Sequence, residues 1–285
     1  MSATTQATDQ RTIARPIRLR DDYELLRLLL IGCGGNGSHL AEAVARVGRL
    51  LKDQGRDVEL TFFDPDHVDA GNIPRQNFAE AEIGVNKAQL LALRYSAKWG
   101  IPINAVPDYF DRTNSTHSSL TVLIGCVDNG EARNDISQSL PGSHQSAPNV
   151  WWLDLGNGFD TGQVILGSAQ ELSELQSAFR LSSVCTATPA PGLLHPELLR
   201  AAKTAHRQPQ SPREPPQGCA QMALIHAQMP LVNQMTAAIG AAMLTRLLVT
   251  QDLQYWASYF DLSTGKQVSY ATSPQAIEDA LVNQG

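Results

Sequence analysis

Apolar and polar positions along the chain alternate between the strand and helix periods. Four aliphatic residues at 28–31 run into Gly32, Gly34 and Gly37, and residues 38–48 then place Leu40, Val44 and Val47 on one helical face. This order predicts a strand, a glycine turn and a helix. Residues 57–63 alternate and are rich in strand formers, which predicts a second parallel strand ending at Asp64. A helix is expected over 83–99, a short strand over 101–106, and strongly apolar strands over 120–126 and 150–155. Residues 163–166 follow a glycine turn and read as an antiparallel strand, so the sheet becomes mixed.

Seven of the sixteen prolines lie between Pro189 and Pro216, and this composition predicts a long surface crossover over about 185–218. Residues 231–249 form a nearly all-apolar helix rich in small residues, expected as packed core or as a subunit interface. Residues 255–270, with Ser263, Thr264 and Gly265 between two aromatic-containing runs, read as a terminal hairpin. The expected class is α/β, with a Rossmann-like mixed, largely parallel sheet and helices on both faces. A flexible arm over 1–20 precedes one domain over 21–285, whose nucleotide-binding core covers about 28–165 and whose C-terminal helix and hairpin occupy 219–285.

Composition narrows the function classes. With 285 residues, 42% of them hydrophobic, the chain is long enough to bury a full core. A net charge of −6 and a pI near 5.6 argue against a nucleic-acid backbone binder, which carries a concentrated Lys/Arg surplus. Cysteines at 33, 126, 185 and 219 form no CxxC pair, so neither a structural zinc nor a disulfide framework is expected. The first fifteen residues lack an apolar core and no run of about 18 apolar residues occurs. The expectation is a cytoplasmic protein without membrane or nucleic-acid partners.

Candidate chemistry gathers in the first half. The glycines Gly32, Gly34, Gly35 and Gly37 suit a tight turn and a close approach of backbone to phosphate at the positive end of a helix, or simply let a strand reverse into a helix. Asp64 stands where ribose hydroxyls are commonly bound, or opens a turn with Pro65. Asn72, Arg75 and Gln76 in the polar stretch 64–78 suggest a phosphate clamp or a solvated loop. Lys87, near the first turn of a helix whose dipole it opposes, suggests an anion to meet. Asp128 at the carboxyl edge of the sheet is either a magnesium ligand or a helix N-cap.

Together, Gly32-Cys33-Gly34-Gly35-Asn36-Gly37, Asp64-Pro65-Asp66, Asn72-Ile73-Pro74-Arg75-Gln76, Gly84-Val85-Asn86-Lys87 and Cys126-Val127-Asp128-Asn129 with Arg133 resemble the adenylation domain of the ThiF/MoeB/ubiquitin-activating enzyme family. The resemblance spans about 28–165. Within the family, the glycine loop, Cys219-Ala220 and the LVNQ helix look most like the ThiF-like proteins of bacterial PRTRC gene clusters. The resemblance implies ATP-dependent adenylation of the C-terminal carboxylate of a small ubiquitin-like or sulfur-carrier protein by a homodimer.

Carried over by position, it implies nucleotide contacts from the glycine loop, Asp66, Gln76 and Asn129, ribose binding by Asp64, phosphate binding by Asn72, Arg75 and Lys87, and Mg²⁺ on Asp128. It makes Arg15, Arg18 and Arg20 candidates to serve a partner's site, and Cys219 the thiol for any covalent intermediate, with Cys185 as runner-up and an inert buried thiol as the alternative for both. A nicotinamide-dependent oxidoreductase and a nucleotide-binding protein without turnover remain as other readings.

Overall fold

The computed structural model describes residues 10–113, 116, 118–141, 147–200 and 230–282. An eight-stranded sheet in the order β3-β2-β1-β4-β5-β6-β7-β8 forms its centre. The strands are β1 Leu25–Ile31, β2 Val58–Phe63, β3 Asn104–Val106, β4 Ser119–Gly125, β5 Val150–Asn157, β6 Thr161–Gly167, β7 Tyr255–Asp261 and β8 Lys266–Ala271. The first five are mutually parallel, and β6, β7 and β8 join antiparallel. This is the expected mixed, largely parallel α/β sheet.

Alternation along β1 divides the core. Leu26, Leu28 and Leu30 enter the larger cluster, whereas Leu29 and Ile31 enter the smaller one with Leu123, Trp152 and Ile136. Every residue of β4 is buried, so this central strand reads as one apolar run rather than an alternation.

Helix α1, Gly35–Asp53, follows the glycine turn and buries Leu40, Val44, Val47 and Leu51 against the larger cluster. Each such aliphatic side chain contributes about 1.5–3 kcal/mol when taken from water. Helix α2, Lys87–Trp99, covers the same face, and α3, Gly130–Ser137, connects β4 to β5 on the other. Because β1 hands the chain to β2 on one side while β4 lies on the other, the carboxyl ends of β1 and β4 open a crevice at the reversal of strand order.

The apolar helix is Pro230–Thr245, extended by a π-helical turn at Arg246–Thr250. It packs on α1, β5 and β6, with Val232, Met243, Leu244, Leu247 and Leu248 buried. By length and mean hydropathy (1.2 over Leu231–Thr250) it is long and apolar enough to cross a membrane, although Asn233, Gln234 and Arg246 interrupt its apolar run. Asn233 and Thr236, both fully buried within the fold, mark it as a core helix.

Two further expectations need correction. Residues 10–20 do not form a free arm: Arg15 and Ile17 are buried, and their backbone N–H groups donate to Thr272 and Leu253. Residues 185–200 are not a loose surface crossover either, since Thr188 is fully buried and donates its hydroxyl to the carbonyl of Leu166 at 2.7 Å. The remainder of the Pro-rich stretch, with Cys219, lies outside the described residues. A C-terminal helix, Pro274–Val282, follows the hairpin and was not anticipated.

Candidate nucleotide site

The site begins at the end of β1. Gly32 adopts φ +89°, a left-handed conformation that favours glycine. A Cβ on Gly37 would strike the carbonyl oxygen of Gly32, so the first turn of α1 can close on the loop only with glycine there. No side chain caps α1 at Gly34, which leaves its first amides to meet an anion.

Asp64, at the end of β2, holds this loop. One carboxylate oxygen accepts the N–H of Cys33 at 2.6 Å and the other that of Asp66 at 2.8 Å. Burial pushes its carboxyl above the ordinary range, against the lowering effect of those two N–H bonds and Lys87. Asp64 is thus first a loop anchor, with any bond to ribose made in addition.

Asn86 fastens the next element. Its amide donates to the carbonyls of Asp64 (2.9 Å) and Asp66 (3.0 Å), and its side-chain oxygen caps α2 by accepting from Gln89. That cap places Lys87, 5% exposed, with Nζ 3.1 Å from Asp66. The expected phosphate cation and the expected nucleotide residue Asp66 therefore pair with each other.

The loop 69–78 is shaped by Asn72, whose oxygen accepts the N–H of Asp69 at 3.2 Å while Asp69 accepts that of Asn72 at 3.1 Å. Asn72 thus forms the turn that presents Arg75 and Gln76. The Arg75 guanidinium has no hydrogen bond or ion pair among the described residues. Gln76 is buried with an unpartnered side-chain oxygen, and its Nε2 lies 3.6 Å from where a Gly34 Cβ would stand.

On the other side of the crevice Asp128 is exposed, and Asn129 caps α3 by accepting from Ala132 at 2.8 Å. The cap alternative thus belongs to Asn129, whose side-chain amide also donates to the exposed Asp128 carboxylate at 3.4 Å. As a magnesium ligand it fits: Mg²⁺ takes one or two carboxylates and completes its shell with water and substrate phosphates. No group of three His, Cys, Asp or Glu able to hold a metal occurs among the described residues.

Three asparagines tie this crevice to the rest of the chain. Asn36 in α1 donates to the Leu155 carbonyl at 3.1 Å and to Asn157 at 3.4 Å, Asn157 donates to Asn233, and Asn233 donates to the Arg75 carbonyl at 2.9 Å. The signals for the latter two were weak but present: Asn157 ends an apolar strand in a Gly-Asn-Gly turn, and Asn233 interrupts an apolar helix. A buried polar residue in such a setting needs a partner.

Beside Asn157 opens a cavity of about 600 Å³ between α3 and the strands β5 to β8. Arg133 lines it, with Nε donating to Asp154 at 3.0 Å. Asp154 is fully buried, and burial pushes its carboxyl up against the opposing pull of Arg133.

Two other sets of candidates are placed elsewhere. Cys185 pairs with Ile17 near the amino-terminal end of β1, is fully buried, and has its thiol pushed up to about 12 by burial. It has the character of an inert core thiol rather than a nucleophile. Arg15 stacks on Phe179 at 5.0 Å, and Arg18 and Arg20 line a cavity with Gly55 and Asp57, at the end of the sheet opposite the glycine loop.

Residues 13–141 match the sequence model of the ThiF family. Among solved structures, selenomethionine PaaA superposes with a TM-score of 0.52 at 13% identity, over 87% of this chain and 64% of that one. MccB of E. coli with AMPCPP and selenomethionine MccA gives 0.51 at 14%, again over 87% and 64%. The microcin C7 biosynthetic enzyme MccB in complex with N-formylated MccA gives 0.52 at 14% over the same shares. At these identities the likeness is one of fold, and the chain spans 64% of the length of these relatives. No curated protein sequence matches the chain. The glycine loop, its Asp64 anchor and the Asn86–Lys87 corner all lie within the stretch that matches the ThiF family model.

Proposed function

We propose that the chain activates the C-terminal carboxylate of a small protein or peptide by ATP-dependent adenylation. The observation that carries this reading is the adjacency of two sites. Asn157 lines the 600 Å³ cavity and bonds Asn36 in the first turn of α1, so a carboxylate in the cavity would lie beside a nucleotide held at the glycine loop. Crystals of MccB, a protein of this fold, contain AMPCPP together with MccA, which supports the reading.

In the reaction a carboxylate oxygen attacks the α-phosphorus, a P–O bond forms, and the bond to pyrophosphate breaks with no proton transfer. Two anions must approach, so the site has to supply positive field and alignment rather than a base. The α1 amides and Arg75 are available for this, and Lys87 would exchange Asp66 for a phosphate oxygen. Asp128 would hold Mg²⁺, which when bound neutralises phosphate charge.

The finer reading takes the substrate as a ubiquitin-like or sulfur-carrier protein and the chain as a PRTRC-type member that acts as a cytoplasmic homodimer. Its support is the constellation of motifs and, for the dimer, the position of Arg18 and Arg20 at the end of the sheet opposite their own glycine loop. Any transfer to a thiol would fall to Cys219. ATP–pyrophosphate exchange tests the reading: it should require a peptide or carrier with a free C-terminal carboxylate and vanish with the C-terminal amide. NAD binding without ATP binding would refute it.

A further inference from the structure

The cavity beside Asn157 has a wall of rings that no part of adenylation requires. Tyr259 on β7 and Tyr270 on β8 stand edge to face at 5.7 Å, and Trp256 packs against Tyr270 at 5.9 Å. Tyr259 and Tyr270 line the cavity, together with Val268 and Leu198.

The wall is also locked. His195 lies 2.9 Å from Glu197 through Nδ1 and 2.8 Å from the Tyr259 hydroxyl through Nε2. Its two ring nitrogens thus bridge the Glu197 carboxylate and the Tyr259 hydroxyl. The Tyr259 hydroxyl is therefore tied down and its ring held in place. Preorganised aromatic surface of this kind gains affinity because little rotamer freedom is lost when a ligand covers it.

The polar end of the same cavity is Arg133, whose Nε is held by Asp154. Its guanidinium can meet a carboxylate, and the rings lie between it and a second charged edge, Asp261 and Lys266 on β7 and β8. A backbone alone would need only a slot one chain wide, whereas 600 Å³ lies inside the range of clefts that take up most of a small ligand, about 300–1,000 Å³.

We infer that the cavity selects a peptide tail carrying a bulky aromatic or aliphatic side chain close to its terminal carboxylate. This rests on the adenylation reading only in taking the occupant to be a tail that ends in a carboxylate.

The test is calorimetric binding of short synthetic peptides, alike except for Gly, Leu or Phe at the residue before the last, with pyrophosphate exchange read in parallel. Leu and Phe peptides should bind at least about tenfold more tightly than the Gly peptide, as expected for covering one large apolar side chain. Tyr259→Ala and Tyr270→Ala should each shrink that ratio, while Tyr259→Phe, which keeps the ring, should retain most of it. Equal binding of the Gly peptide, no binding by any of the three, or a ratio indifferent to both alanine variants would overturn the inference. Preferential binding of the bulky peptides without exchange would uphold it and count against adenylation alone.

Discussion

The carboxylate of Asp64 accepts the backbone N–H of Cys33 at 2.6 Å, so the acid that ends β2 fixes the glycine loop that ends β1. Two neighbouring parallel strands are thereby joined at their tips by a bond that sets the loop's shape before any nucleotide arrives.

Asp64→Ala should cost stability as well as binding. It leaves the N–H groups of Cys33 and Asp66 without their acceptor, and an unpaired buried donor costs about 1–3 kcal/mol. Urea unfolding should show that loss. Because burial raises the carboxyl's pKa, the folded chain holds this proton more tightly than the unfolded one. The group's contribution is therefore full below the unfolded value of about 3.9 and is lost as pH rises through the raised folded value. The gap between wild type and variant should narrow over that window, and a gap that widens would refute the assignment.

Gly34 and Gly37 should separate function from folding. Gly37→Ala forces a methyl into the Gly32 carbonyl and should destabilise by about 1–3 kcal/mol or more. The nearest atom to a Gly34 methyl is Gln76 Nε2 at 3.6 Å, an ordinary contact. Gly34→Ala should keep the unfolding midpoint yet weaken ATP binding by tenfold or more, about 1.4 kcal/mol, because the methyl occupies the path of a phosphate. Unchanged ATP affinity in that variant would place the phosphates elsewhere.

Asp128→Ala should leave stability within about 0.5 kcal/mol, since the side chain is exposed and Asn129 supplies the cap. Exchange activity and the magnesium dependence of ATP binding should be lost together. A variant that still exchanges would reduce Asp128 to a surface residue.

The thiols offer a check that needs no substrate. Burial pushes those of Cys33, Cys126 and Cys185 up, the last to about 12, which at pH 8 leaves on the order of one thiolate in ten thousand at Cys185. Iodoacetamide at pH 8 should spare all three in the native protein and label them in denaturant, as read by mass spectrometry. Rapid native labelling of Cys185 would reopen it as a nucleophile.

What the sequence disclosed and what it concealed divide by range along the chain. The run of β4 and the periodic face of α1 are local consequences of burial on a parallel sheet, so the strands and the glycine loop could be read directly. Local composition misled where distant partners decide. Residues 10–20 look like a tail, yet Arg15 and Ile17 bond to Thr272 and Leu253, more than 230 positions away. The prolines near 190 look like surface, yet Thr188 is held by Leu166. Of the candidate site, the motifs could be read but not the contacts its side chains make: Lys87 faces Asp66, Asn72 shapes a turn, and Asn129 rather than Asp128 is the cap.

The asparagine chain also sets an order in time. Asn36 reaches across 121 positions to Asn157, and Asn157 across a further 76 to Asn233. A ribosome that has released residue 141 has delivered the whole ThiF-matched stretch, but neither Asn157, the partner of Asn36, nor Asn233, the partner of Asn157 and of the Arg75 carbonyl, has yet been made. Domains assemble as their sequence emerges, and pairings this remote come last. A nascent chain of that length therefore carries a glycine loop already fixed by Asp64, while Asn36 in the first turn of α1 still waits for Leu155 and Asn157, and Asn157 for Asn233.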